Sequence, residues 1–426
     1  MRTRTSILRL SALVVLPILG GTLAAQDRQL KDRDLKDLGK QLANYVEARE
    51  ADEDVWDAEE SVKDALAKLQ KKLKGKDPLS LPADFGQAIW MSKKYEKAKV
   101  KRGKVADVES DARIFGEQEF EYTAWAPSKY SAKNGPYPLI ISIHDEEPDT
   151  TPKSHIIEEW RDQDLRAGAI IVAPPMPEDF SIWSVAGTAE NPGGVAYVLT
   201  TFNDVSQKYA IDFDRVYLAG RGTGVAAAIA IASLFPDRFA GVIGRAGDAG
   251  NTSPENFQNL PTYFAGGGGQ ATAFDTAIRS LGFDNCTLDP TGLGKDVWNW
   301  MQSHPRISNP MEVTLVPGAP FPNRASWIQV PPTDGQTAAR IHATIDRATN
   351  TITVNGEGID DFTIFLNDVL VDLDKPVIVI CNGAENVDLI PRNLKVTLDM
   401  MYFARSDPGK VFVANKSYHL PPPASK

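Results

Sequence analysis

The residues with most to say about chemistry lie between Arg215 and Ala228. The run Arg-Val-Tyr-Leu-Ala-Gly-Arg-Gly-Thr-Gly-Val-Ala-Ala-Ala places an apolar strand, three glycines at alternate positions and an Ala-rich helix in succession. Gly220, Gly222 and Gly224 keep the spacing of a G-x-S-x-G turn, in which a sharp strand-to-helix bend projects the middle side chain as a nucleophile. The middle position here is Gly222, which has no side chain and cannot attack a carbonyl. A residue at such a bend ordinarily holds a sparsely populated backbone conformation costing about 1–3 kcal/mol, and glycine visits it freely. The shape of the turn is thus compatible with Gly222 while its chemistry is not. Thr223 is adjacent, but it opens the following helix, faces elsewhere and has no histidine partner in sequence. Ser184 and Ser303 sit in no motif of nucleophile, base and orienter.

Other chemistries are poorly represented. The five histidines are scattered and Cys286 and Cys381 lie far apart, so no zinc-ligand spacing exists and no metal is expected. Gly266 to Gly269 is not followed by Gly-Lys-Ser/Thr, so it is not a phosphate loop, and no cofactor is implied. In an oxidising compartment the two cysteines form one bridge or remain two buried small hydrophobes, and sequence leaves both open.

At the glycine turn the chain resembles the α/β-hydrolases, in particular the secreted esterase, polyhydroxybutyrate-depolymerase and peptidase-like branch. The downstream run Phe235-Pro-Asp-Arg-Phe-Ala-Gly-Val-Ile-Gly-Arg-Ala-Gly is similar to the stretch after the elbow in those enzymes. The resemblance covers roughly residues 110 to 305. It implies a serine at the position of Gly222 and a histidine, commonly within Gly-His-Gly ahead of a Trp-bearing helix, where Thr291-Gly-Leu-Gly-Lys-Asp-Val-Trp puts Leu293. Leucine neither accepts nor returns a proton. His304, beyond that helix, reads as a surface or capping residue and not as a base. The resemblance implies an acid after the strand ending near Ala265, where Gln270 stands; Asp275, the nearest carboxylate, is expected to begin a helix and face its dipole. Oxyanion donors would come from Thr223 and from the loop after His144, which runs Asp145-Glu146-Glu147-Pro148. Carboxylates there oppose a developing negative charge; the simpler reading is a solvated loop, and Asp145 and Thr223 are at most a remnant. Trp183, Trp298, Trp300 and Trp327 are of a type that lines ligand pockets and, more commonly, cores. The run from Phe362 to Val377 is similar to the β-rich appendage that follows esterase-like domains in some environmental bacteria.

The elements that must position these residues are legible as patterns. Leu30, Leu35, Leu38, Leu42, Val46, Val62, Leu66, Leu69 and Leu73 recur at three-to-four spacing among charges, predicting an amphipathic helical pair over 27–74 that packs on the main domain or a partner. Residues 78–82 mark a boundary. Strands follow at 120–126, 137–143, 169–173, 216–219, 239–243 and 261–265, with helices at 192–209, opened by Asn191 and Pro192, and at 223–235. Such alternation predicts an α/β-hydrolase fold, a mostly parallel sheet with helices on both faces. Ile352 with Val354, 362–366, 377–381, an Asn382-Gly383 turn and 411–414 predict a small β-rich region. The expected organisation is a signal peptide over 1–25, a helical extension over 26–85, the hydrolase-like domain over 110–317 and the β-rich domain over 325–426.

With 426 residues, more than one folded unit is expected. A formal net charge of -10 without a basic stripe argues against nucleic-acid binding. Arg2, Arg4 and Arg9, the apolar run from Leu10 to Leu19 and the small residues to Ala25 read as a secretory signal cleaved near Ala24 or Ala25, so a secreted or periplasmic protein with no stable membrane span is expected. Three functions stay open: a non-catalytic pseudo-hydrolase that binds an unknown ligand or protein partner, a working ester or peptide hydrolase with relocated residues, and an interaction protein whose helical and β-rich parts matter.

Overall fold

The computed structural model describes residues 28–95, 99–113, 119–147, 149–176, 193–318, 321–332 and 338–422. The expected signal sequence, Trp183, Ser184, Asn191 and Pro192 lie outside the described residues. Near the N-terminus α1 (Asp32–Glu50) and α2 (Trp56–Lys72) form the expected pair, followed by α3 (Pro82–Met91), which the Pro-rich boundary concealed. Leu35, Leu38, Leu42 and Tyr45 make one buried face of α1. On the same helix Gly39 crosses α3 so closely that a Cβ would stand 2.6 Å from the Ala88 carbonyl oxygen.

The central sheet contains β1 (Ala106–Glu109), β2 (Glu121–Trp125), β3 (Tyr137–Ile143), β4 (Ile170–Ala173), β5 (Ile211–Arg221), β6 (Gly241–Arg245), β7 (Thr262–Ala265) and β8 (Cys286–Asp289). Its order is β1-β2-β4-β3-β5-β6-β7-β8. Strands β1 and β2 pair antiparallel and β2 meets β4 antiparallel, whereas β4, β3, β5, β6, β7 and β8 are mutually parallel. Between them run α4 (Pro152–Glu159), α5 (Gln163–Gly168), α6 (Gly194–Lys208), α7 (Gly224–Leu234), α8 (Gly269–Ser280) and α9 (Gly294–Ser303). Strand alternation divides the side chains between two cores. Leu139, Ile141 and Ile143 of β3 join the face covered by α6, α7 and α8, while Ile140 joins the face covered by α4, α5 and α9. Both faces of β3 are covered, which is why it reads as a continuous apolar run. This is an α/β-hydrolase arrangement, with the glycine turn at the C-terminal end of β5.

Two further sheets lie toward the C-terminus. They are formed by β9 (Glu312–Leu315), β10 (Arg324–Ala325), β11 (Ile328–Gln329), β12 (Arg340–Asp346), β13 (Thr351–Glu357), β14 (Asp361–Leu366), β15 (Val377–Cys381), β16 (Ala384–Asp388) and β17 (Ala414–His419), in orders β10-β11-β14-β17 and β16-β15-β13-β12-β9. A helix, α10 (Leu394–Phe403), interrupts them. Strand β9 lies before the expected start at 325, yet it pairs with β12. The helices α1 to α3 share one apolar core with these sheets: Leu38, Leu42, Leu66 and Phe85 belong to the same cluster as Ile341, Ile352, Phe362 and Val411. Cys286 and Cys381 are buried and free, one in each region, so the bridge left open by the sequence does not form. Among the described residues no helix is long and apolar enough to cross a membrane.

Candidate functional site

Every second residue of the turn after β5 is glycine because backbone crosses backbone there. A Cβ on Gly220 would collide with the Gly224 carbonyl, and one on Gly224 would stand 2.6 Å from the Ile143 carbonyl oxygen of β3. Gly222 lies between them at φ +53°, in the left-handed region that the middle residue of such a bend requires. Its N–H donates to the Arg245 carbonyl at 3.1 Å, and α7 begins two residues later. The backbone of the elbow is therefore complete.

The space above Gly222 is filled by another residue. A Cβ built on Gly222 would overlap the carboxylate of Asp145, which arrives from the loop after β3. One oxygen of that carboxylate, Oδ1, accepts the Thr223 backbone N–H at 3.1 Å, the Thr223 hydroxyl at 2.8 Å and the Glu146 backbone N–H at 2.9 Å. Two backbone N–H groups converging on one oxygen from the helix start and from the β3 loop are the geometry that stabilises an oxyanion. Here the anion is the chain's own. Burial alone would raise the pKa of Asp145, but the donors from Thr223 and Glu146, together with Arg221, hold its carboxyl below the usual range. The solvated loop expected for Asp145 is thus replaced by an inward-turned side chain. Thr223, expected to face away from the serine position, instead donates its hydroxyl to the Asp145 carboxylate that fills that space, and the same hydroxyl accepts the Glu146 N–H at 3.2 Å.

The other sequence-derived positions are dispersed. Leu293 is 60% exposed at the start of α9. The loop before it is pinned by Asp289, whose carboxylate accepts the Thr291 N–H at 2.8 Å, the Thr291 hydroxyl at 2.6 Å and the Gly292 N–H at 3.2 Å. Gln270 is exposed in the first turn of α8. Asp275, expected to open that helix, instead lies two turns inside it and pairs with Arg279 at 3.0 Å, because α8 already starts at Gly269. His304 ends α9; its ring stacks on Trp300 at 4.6 Å and its Nδ1 lies 2.8 Å from the Trp300 carbonyl. That is a capping role. Trp300 and Trp327 are buried core residues and Trp298 packs partly buried against the core.

Sequence reasoning missed three features of this rim. Glu159, at the end of α4, is nearly buried and bridges Arg221 at 2.7 Å and Arg245, tying the ends of β5 and β6 together. Asp248, after β6, accepts the Ala271 N–H of α8 at 3.3 Å. The third is a serine–histidine contact: His155 Nε2 lies 2.7 Å from the hydroxyl of Ser142, which also accepts the Trp160 indole N–H at 2.9 Å. Ser142 is 1% and His155 3% exposed, and burial pushes the imidazole down to about 3, so it stays neutral. No spacing in sequence announces this pair; it exists because α4, packed over β2 and β4, brings His155 against Ser142 of the neighbouring β3. His144, directly after β3, donates its Nδ1–H to the Asp145 carbonyl at 2.7 Å, and burial lowers its basicity too. No group of three or more His, Cys, Asp or Glu residues suited to a metal ion occurs among the described residues.

No family model matches the chain, and no curated protein matches it in sequence. Solved structures do match. A thermostable esterase aligns at 17% identity with a TM-score of 0.39, over 47% of this chain and 63% of its own length. A ferulic acid esterase aligns at 14% identity and TM-score 0.38, over 48% of this chain and 98% of its own. An S-formylglutathione hydrolase from Staphylococcus aureus gives 12% and 0.35, over 47% and 94%. The chain thus spans less than two thirds of the first of these.

Proposed function

We propose that this is an exported, non-catalytic protein built on the α/β-hydrolase fold, retained as a binding scaffold. The observation that carries the reading is the Asp145 carboxylate, seated on the Thr223 and Glu146 N–H groups directly above a glycine. A hydrolase needs that space for a nucleophile and those donors for the oxygen of a tetrahedral intermediate. An internal carboxylate competes with both. Leu293, at the position where the fold's relatives carry a histidine, supports the same conclusion. Export rests on the first 25 residues and is tested by finding the mature N-terminus near Gln26 in an extracytoplasmic fraction.

The deciding experiment presents the purified chain with p-nitrophenyl esters of short to long acyl chains and with a fluorophosphonate probe. The expected result is turnover no greater than that of heat-denatured protein and no labelling. Saturable turnover abolished by one point change would reject the proposal. A second reading, a hydrolase with relocated residues, is favoured only by the Ser142–His155 contact. Its weakness is physical: the pair is enclosed, the hydroxyl is shared with Trp160, and an imidazole titrating near 3 is a poor base at neutral pH. Under that reading Ser142→Ala removes all turnover; under ours it changes stability alone.

A further inference from the structure

The region opposite the glycine turn holds a cleft with a defined chemical character. A cavity of about 800 Å³ opens between the end of α7 and the C-terminal sheets. Helix α7 runs back from the elbow, so this cleft lies at the N-terminal edge of the parallel strands, away from Gly222. Its size suits a compact organic molecule. Aromatic and sulfur side chains line it: Phe235, Phe321, Phe365, Phe403 and Met400. The rings of Phe235 and Phe321 are 5.6 Å apart, and Phe321 and Phe403 are 48% and 65% exposed, a large apolar area to leave in water.

The charges in the cleft do not balance. Arg238, Arg324, Lys395 and Lys410 face it against two acids, Asp237 and Asp399, in a chain whose formal net charge is -10. Both acids are engaged, Asp237 with Lys410 at 2.8 Å and Asp399 with Arg49 at 2.6 Å. Arg324 lies over the Phe365 ring at 4.4 Å and donates through Nε to the Ser326 carbonyl at 3.0 Å, but its Nη2 is buried with no hydrogen-bond partner among the described residues. Arg238 lies over Phe235 at 5.6 Å. Burial holds both guanidiniums below their ordinary basicity, Arg324 down to about 10, although Asp237 opposes the shift. A buried guanidinium donor left unpaired is costly, and a planar carboxylate is the partner that satisfies it best. A larger groove, of about 1040 Å³, runs beside α1 and α6, but there lysines alternate with acids and select no sign of ligand charge.

We propose that the cleft binds a small aromatic carboxylate, with its ring against Phe321, Phe403 and Met400 and its carboxylate beside Arg238 and Arg324. The proposal goes beyond the scaffold reading and does not depend on the elbow: ester turnover at Gly222 and affinity here are read separately. Isothermal titration of the full chain with 2-naphthoate, and with 2-naphthylmethanol as its neutral counterpart, tests it. The acid is expected to bind with a Kd below about 1 mM and the alcohol about tenfold more weakly. Arg238→Gln is expected to abolish that preference while leaving the alcohol unchanged, and Phe321→Ala to weaken both; both positions are partly exposed, and retained thermal unfolding shows that each variant is folded. Equal affinity for acid and alcohol, no binding of either at millimolar concentration, or a preference that survives Arg238→Gln would each overturn the proposal.

Discussion

Gly222 and Asp145 act as a pair: the missing side chain of one makes room for the carboxylate of the other. Restoring the serine is therefore a structural problem as well as a chemical one. In Gly222→Ser the new Cβ displaces Asp145 from its three donors and places a non-glycine residue at φ +53°. The expected cost is about 1–3 kcal/mol, and the variant is expected to show no ester turnover, since Leu293 provides no base. Adding Asp145→Ala should cost less than the sum of the single changes, a deficit that a double-mutant cycle by urea denaturation measures. A second residue-scale expectation concerns Lys93. Its ammonium is buried near the Phe213 ring at 4.9 Å and donates to the Arg405 carbonyl at 3.4 Å. Burial lowers it to about 7, though Asp407 and Glu50 oppose the change. Because the unfolded lysine still binds its proton between pH 7 and about 10.4, the unfolded state holds more protons there and this residue's contribution to stability rises with pH. Wild type is thus expected to gain on Lys93→Met by about 2–4 kcal/mol between pH 6.5 and 9.5. A gap that does not move over that range would show the lysine to be solvated.

At the scale of elements, the helical pair and the parallel strands were legible because their periodicities are strong. The 3.6-residue pattern of α1 and α2 and the unbroken apolar run of β3 both survive in the structure within a few residues. The short helices α3, α4 and α5 were missed, although Thr151 with Ser154 forms a capping box around Pro152 and Asp162 caps α5, signals that a search for caps would have found. What periodicity could not reveal is the partner of each apolar face. Helices α1 to α3 cover the C-terminal sheets, with Arg49 reaching Asp399 of α10 at 2.6 Å and lying over Tyr402 at 4.2 Å. Deleting residues 28–77 is therefore expected to expose Ile341, Ile352 and neighbouring core residues. The truncated chain should aggregate or unfold at markedly lower temperature, visible by size-exclusion chromatography and calorimetry. A monomeric truncation with unchanged unfolding would show the helices to be a loose appendage.

For the whole molecule, the N-terminal helices and the C-terminal region meet the parallel sheet at the start of its interior strand β5. Trp90 donates to the Ile211 carbonyl at 3.0 Å, where β5 begins. Arg306 is the centre of the junction: it bonds Asp214 of β5 at 2.9 Å and Asp407 at 2.7 Å, all three nearly inaccessible. Burial alone would raise Asp407, but Arg306 and Lys410 hold it below the usual carboxylate range. Its folded-state affinity for protons is thus depressed, so the stability it contributes is complete above about pH 4 and lost as pH falls through its folded value. Arg306→Met leaves two buried carboxylates without their cation and is expected to cost about 3–5 kcal/mol by denaturant titration. A cost under about 1 kcal/mol would show that the junction is solvated.

The sequence by itself determined the mostly parallel α/β sheet, the place of the sharp turn at Gly220 to Gly224 and the absence of a side chain at Gly222, since these follow from local periodicity and from which residues tolerate close backbone contact. Only the tertiary structure decided that Asp145 turns inward onto the Thr223 and Glu146 amides, that Ser142 meets His155, and that the two ends of the chain share one core. Apart from the neighbouring Glu146 amide, those contacts join residues from 13 positions to hundreds of positions apart. Their energies depend on packing and burial, which no local pattern records.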